Sequence, residues 1–344
     1  MQAFWSPWRQ KSLQRAAGAL IASAGGAALA LALVAGPSPA AEPPPDLGGC
    51  QVFPDPPAGL SPTAKSLPTQ AAWNQDISKA PRAKNSAAVI AYINSHGGTL
   101  LHPDFGSPRP YGIPYSVVGA GQAKLPVRYT AYGAESTPGP FPVPANARVE
   151  GGNDSDGDRH VIAVDTAECK VYELYRGFYK PGPQPHWDAD SGAAWDLGSD
   201  AVWPDGWTSA DAAGLPIFAG LVRYPEVAAG RLEHAIRVTF ESTREAWVRP
   251  ASHCAGDTGN GNAPAMGTRL RLKAGYGLGG FSGPARTIAE AMKRYGLIVA
   301  DNGSNWYFSD TSDRRWDDEN LNQLKRIPGS AFEVVASAAA AHTC

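Results

Sequence analysis

Charge is scarce in this 344-residue chain: 18% of its residues are charged, and 30 Lys and Arg against 32 Asp and Glu leave a formal net charge of -2. Phosphate recognition needs a clustered cationic surplus, so a nucleic-acid binder held by a basic face is excluded. Other signatures are missing too. There is no C-x-x-C, so the four cysteines form no metal or redox motif of that kind. There is no H-E-x-x-H, which removes the usual helix-borne zinc site of a protease. Ser252-His253 lies outside any G-x-S-x-G context, leaving a serine hydrolase without its nucleophile turn. No phosphate loop, dinucleotide glycine fingerprint or internal repeat is present.

What is abundant is glycine, proline and aromatic residues. Gly 38 and Pro 31 make up about a fifth of the chain, above the usual share but below the level that signals disorder. Trp 10, Tyr 12 and Phe 10 supply the large apolar side chains of a real core. The composition is that of a folded, loop-rich protein.

The first residues read as an address. Arg9, Lys11 and Arg15 precede an uncharged Ala/Leu/Val/Gly run from Ala17 to Ala35, and Ser38-Pro39-Ala40 follows with small residues at the cleavage positions. This order is that of a secretory signal peptide over residues 1–40. No Arg-Arg pair precedes the apolar run, so general secretion is expected rather than the twin-Arg route. No stable membrane anchor is expected after cleavage. Leu47-Gly48-Gly49-Cys50 resembles a lipoprotein box, but a Pro-rich spacer separates it from the apolar run. Removing residues 1–40 takes away three cations and no acid, leaving 27 cations against 32 acids and a net charge of -5. In an oxidising compartment Cys50, Cys169, Cys254 and Cys344 are expected to form disulfides, and the sequence leaves all three pairings open.

Residues 41–72 read as a Pro-rich arm, and the folded domain is expected over 73–344. A short helix is predicted over Asn85 to Asn94. Strands are predicted at Tyr115–Val118, Val127–Tyr132, Val161–Val164, Val171–Tyr175, Leu232–Phe240 and Arg269–Leu272. An amphipathic helix is expected from Ser282 and Pro284 to Gly296, and a second helix over Asp317 to Lys325. Leu297–Asp301 reads as a strand that turns at Asn302-Gly303 into a hairpin with Trp306–Phe308. Many short strands and few helices predict a mainly β fold, a β-sandwich or jelly-roll-like single domain with peripheral helices.

Three places offer chemistry. In the run from Asn153 to His160, carboxylates alternate along a turn that enters an apolar strand. Asp154, Asp156, Asp158 and Asp165 match positions 1, 3, 5 and 12 of the helix-loop-helix calcium pattern, although Arg159 stands where its glycine belongs. A Ca²⁺ site is one expectation, and a solvated turn is the other. If the strands at 161–165 and 170–175 pair through a loop of two or four residues, Asp158 and His160 share a face with Glu173 and Tyr175. Two carboxylates beside an imidazole suit acid/base work on a sugar bond. His234, read as lying on the apolar face of its strand, and Asp301, at the entry to the Asn-Gly turn, are further catalytic candidates. Trp187, Trp195, Trp203 and Trp207 alternate with His186, Asp188, Asp190, Asp196, Asp200 and Asp205. Aromatic faces beside carboxylates suit sugar rings, so these tryptophans, Tyr175 and Trp306 are expected substrate contacts, and core packing is the competing expectation.

Gly157-Asp158-Arg159-His160, Lys170–Tyr175, Ala229 to Ala235, Arg269 to Lys273 and the run from Tyr295 to Tyr307 carry a resemblance. They show G-D-R-H, A-G-R-x-x-H-A, R-L-x-L-K and Y-G-x-I-V-x-D-N-G-S-N-W-Y motifs. In these the chain resembles a widespread, largely uncharacterised family of secreted bacterial proteins. The resemblance spans roughly Trp73 to Val335 and implies one domain and no assigned catalytic residue. The expectation is therefore a secreted carbohydrate-active enzyme, foremost a glycoside hydrolase acting on a polysaccharide. A polysaccharide lyase using His and Tyr, and a non-catalytic glycan-binding or adhesion module with structural calcium, are the alternatives.

Overall fold

Several runs of β-branched and aromatic residues become strands, among them Tyr115–Val118, Val161–Asp165 and Ile236–Phe240, in line with their preference for a pleated surface. The computed structural model describes residues 47, 50, 52, 71–106, 111–198, 203–337 and 340–344. The expected leader, most of the Pro-rich arm and Asp200 lie outside the described residues. Two sheets organise the fold. Their strands in chain order are β1 (His102–Pro103), β2 (Tyr115–Val118), β3 (Val161–Asp165), β4 (Lys170–Tyr175), β5 (Ser191–Asp196), β6 (Ile236–Phe240), β7 (Arg269–Leu272), β8 (Leu297–Asn302), β9 (Tyr307–Phe308) and β10 (Phe332–Val334). The four-stranded sheet runs β2-β3-β4-β5, and the six-stranded sheet runs β1-β9-β6-β8-β7-β10. Two three-stranded sheets flank them, so the chain is mainly β with few helices, as its pattern predicts.

All five residues of β3 are buried because its two faces meet different apolar clusters. Ile162 and Val164, with Val171 of β4, join the main core. Val161 and Ala163, with Tyr172 and Leu174, pack with Phe141 and Trp187 in a second, smaller cluster. The main core also takes β6, β8 and one face of a helix, Gly283–Arg294, through Ile288, Ala289 and Met292. Pro284 stands in that helix's first turn, where its missing N–H would have no intrahelical partner, and Lys293 and Arg294 sit at the negative end of the dipole. Gly296 ends the segment at φ +78°, and a Cβ there would collide with the Leu270 carbonyl.

The cysteines pair as Cys50–Cys169 and Cys254–Cys344, with Cα separations of 5.5 and 6.2 Å. Two disulfides suit an oxidising compartment. Among the described residues no helix is long and apolar enough to cross a membrane.

Three local expectations change. Asn302-Gly303 does not close a hairpin: β8 and β9 both pair with β6, which lies between them. Gly303 N–H donates to the Phe240 carbonyl instead, so the turn sits over the end of β6. The helix expected over Asp317 to Lys325 makes one α-turn, Asp318–Leu321, capped by the Asp317 side chain, and then tightens to a 3₁₀ segment, Asn322–Arg326. His234 precedes β6, whose first residue is Ile236, so it is placed by a bend and not by strand alternation.

Candidate active site

The site begins with a backbone pairing just before β3. Glu150 N–H donates to the His160 carbonyl at 3.0 Å, and the His160 N–H returns a bond to Glu150 Oε2 at 3.3 Å. The same Oε2 lies 2.6 Å from His160 Nδ1, and Nε2 faces the Ala210 carbonyl at 3.2 Å. Both ring nitrogens thus face acceptors, which is the environment of an imidazolium. Burial alone would lower the His160 pKa, but the Glu150 charge and hydrogen bond overcome it and hold the ring at about 9. Burial would likewise raise Glu150, yet His160 holds its carboxyl below the usual range.

Arg159 organises the loop between these partners. It adopts φ +51° and is buried, with its guanidinium 4.1 Å from the Phe178 ring centroid. Nε donates to the Gly177 carbonyl at 3.2 Å, and Nη1 to the carbonyls of Gly152, Asn153 and Ser155 at 3.3, 2.7 and 2.8 Å. The 151–157 loop is therefore wrapped around one cation, which sets where Glu150 leaves it and where Asp158 enters β3. Asp158 is half-buried, and its Oδ1 is enclosed without a hydrogen-bond partner among the described residues.

From the other sheet comes Arg237, a buried cation on β6 between Ile236 and Val238. Nη2 donates to Asp211 Oδ1 at 2.5 Å and stands 3.7 Å from Asp301 Oδ2, and Nη1 donates to Ser309 Oγ at 2.9 Å. Burial, aided by the Asp211 charge and opposed by Arg237, pushes Asp301 up to about 7. Burial raises Asp211 as well, again against Arg237.

Beside this cluster opens a cavity of about 740 Å³, within the range of small-ligand sites. Asp104, Tyr111, Asn146, Arg148, Glu150 and Ser309 are among the residues lining it. Asp104 is an exposed residue, yet the protein around its carboxyl displaces enough water to raise it, and the Glu150 charge adds to the rise. Glu150 and Asp104 thus share one cavity with their proton affinities driven apart.

The sequence-derived candidates divide between this site and the core. Asp158, His160 and Asp301 gather here. Tyr175 lies beside His160 with ring centroids 5.7 Å apart. Ile162 pairs with Glu173 across the four-residue loop 166–169, so Glu173 and Tyr175 do share a face with residues 158 and 160, but that face looks into the core. Glu173 is fully buried, accepting from Trp195 Nε1 at 3.1 Å and from the N–H groups of Ile217 and Phe218 at 3.0 and 2.8 Å. With both oxygens filled by core donors it anchors the start of the 217–220 turn and does not line the cavity. His234 is also apart: its Nδ1 meets the Ala235 carbonyl at 2.7 Å and its Nε2 lies 3.3 Å from Glu226, which Arg223 also holds.

The tryptophans are mostly packing. Trp187, Trp195 and Trp306 are buried, and their indole N–H groups donate to the Val143 carbonyl, Glu173 and Asn94. Trp203 is half-buried, and Trp207 alone of these is exposed, at 37%. The calcium spacing does not close either. Asp154 and Asp156 are exposed, while Asp165 lies at the far end of β3, where its Oδ1 accepts from Ala167 and Glu168 N–H to cap the turn. Asp158 instead groups with Glu150 and His160, whose ligand-type atoms all lie within 4.8 Å of one another. These three have the spacing to hold a cation, but as arranged both His160 nitrogens are engaged and the ring offers no free lone pair.

Glu150, Asp104, Asp211 and Arg237 belong to no sequence motif. Arg237 gave a faint signal, as a charge inside an otherwise apolar strand. Compared with known proteins, the chain matches no protein family, no curated protein and no solved structure.

Proposed function

We propose that the protein is a secreted glycoside hydrolase in which Glu150 and Asp104 are the working carboxyl pair. The observation that carries this reading is that both line one cavity while their surroundings push them in opposite directions: His160 keeps Glu150 ionised, and the water displaced by the surrounding protein, with the Glu150 charge, raises the Asp104 carboxyl. Glycosidic bond cleavage needs that division, a carboxylic acid to protonate the leaving oxygen and a carboxylate to act as base or nucleophile at the anomeric carbon. Tyr111 offers a ring face to a sugar, and Asn146, Arg148 and Ser309 offer hydrogen bonds to its hydroxyls. His160 does not transfer the proton; it is a buried imidazolium that holds Glu150 in place.

Export is part of the same reading, supported by the leader pattern and the two disulfides. So is membership of the secreted bacterial family whose motifs the chain resembles, since Gly157–His160 and the run from Tyr295 contribute Asp158, His160 and Asp301 to one cluster. The test is incubation of the exported protein with a panel of neutral, acidic and amino-sugar polysaccharides, followed by reducing-end release. New reducing ends that vanish in Glu150→Gln support the reading. An unsaturated, ultraviolet-absorbing product would replace it with a lyase, and binding without any cleavage would replace it with a glycan-binding module.

A further inference from the structure

Arg237 is buried at 4% exposure, and its guanidinium spans two parts of the site. One nitrogen holds Ser309, which lines the cavity; the other holds Asp211, which is fully enclosed behind it. Asp301 stands 3.7 Å away, and Glu150, Asp104 and His160 all feel its charge. Asp158 joins the set through its interactions with Asp301 and His160. Five carboxyls, Asp104, Glu150, Asp158, Asp211 and Asp301, therefore surround two cations, Arg237 and His160. They cannot all be ionised at low energetic cost in a partly dry interior, so the placement of the two cations decides which carboxyls keep protons.

We propose that Arg237 is a positioning residue for the cavity: it tethers Ser309 in the wall to Asp211 behind it, and its fixed charge apportions protons among the surrounding carboxyls. The proposal rests on the reading of Glu150 and Asp104 as the working pair. A planar fork is needed to hold Ser309 and Asp211 together, and an ammonium supplies the charge without that geometry. Among the described residues Asp211 Oδ2 has no hydrogen-bond partner, and its Oδ1 is held by Arg237.

Three variants separate charge from geometry. Arg237→Gln removes the cation, so the pH profile of kcat/KM moves to higher pH by about one unit, the scale of one charge at such range. Asp211→Asn leaves Arg237 uncompensated and moves the profile the other way. Arg237→Lys keeps the profile in place but lowers kcat, about tenfold, because the tether is lost. The His160 ring, followed by proton NMR, gives the same signs without any substrate: its titration midpoint rises in Arg237→Gln and falls in Asp211→Asn. If Arg237→Gln does not fold, Asp211→Asn alone carries the sign. Moved midpoints with no turnover of any glycan by the parent protein would overturn the hydrolase reading and leave the role of Arg237 standing. Turnover with unmoved profile and midpoints in folded variants would overturn the role of Arg237.

Discussion

Glu150 Oε2 receives both the ring and the backbone N–H of His160, at 2.6 and 3.3 Å, while the Glu150 N–H donates to the His160 carbonyl. A carboxylate gripped this way cannot swing out of the cavity wall, and its partner cannot lose a proton without leaving a charge unpaired.

The pair fixes a pH dependence of stability. The His160 pKa is raised from 6.5 to about 9, so its contribution is fully present below the unfolded value and is lost as pH rises through the folded one. The expected result is a melting temperature that declines between about pH 7 and pH 9.5, with a loss on the order of a few kcal/mol from this group. His160→Gln should melt lower near neutrality and show a flatter profile over the same interval. A parallel decline in both proteins would remove His160 as the cause.

Much of this arrangement was legible in the residues, and the reason for the rest is physical. Runs rich in β-branched and aromatic residues between Pro and Gly clusters place β2, β3, β4 and β7 to within a residue, because that composition suits a pleated surface even where both faces are covered, as in β3. The residues leave the length of the loop after β3 open between even and odd, and they do not say which face of the hairpin meets water. Glu173 looked reactive because a polar residue on a strand is normally solvated, and here three donors in the core receive it. Asp104 and Glu150 left no trace because their roles come from contacts between segments distant in the chain. Asn302-Gly303 misled for the opposite reason: a strong local turn signal was overruled when β6 inserted between the strands it should have joined.

Glu173 therefore gives a discriminating substitution. Gln in its place offers one acceptor oxygen and an NH₂ that would face a backbone N–H, so Glu173→Gln is expected to lose about 1–3 kcal/mol of stability. Glycan turnover per folded molecule should persist. Burial lifts Glu173 to about 7, against the three donors, so its contribution declines as pH rises from about 4.5 through 7, a decline that Glu173→Gln should lack. Abolished turnover with unchanged melting would return Glu173 to the chemistry.

Asp104 is testable through the leaving group. If its carboxyl protonates the departing oxygen, Asp104→Asn slows natural glycosides by about 10²–10⁴-fold but leaves activated aryl glycosides, which need little protonation, far less affected. Equal losses on both substrates would deny it the acid role. The alkaline limb of the parent profile should lie above the ordinary carboxylate range, since loss of water around the carboxyl and the Glu150 charge both raise Asp104.

Arg159 tests whether the 151–157 loop positions the site. Its guanidinium serves four carbonyls and covers Phe178, and a Lys ammonium can serve only some of them and cannot stack as a plane. Arg159→Lys should raise amide hydrogen exchange in residues 151–157 while the β3–β4 ladder stays protected. Because Glu150 sits at one end of that loop and Asp158 at the other, kcat should fall while the His160 ring loses part of its elevated pKa. Faster exchange in the loop with an unchanged His160 titration would mean that the Glu150–His160 pair holds its own geometry, and that Arg159 serves the loop alone.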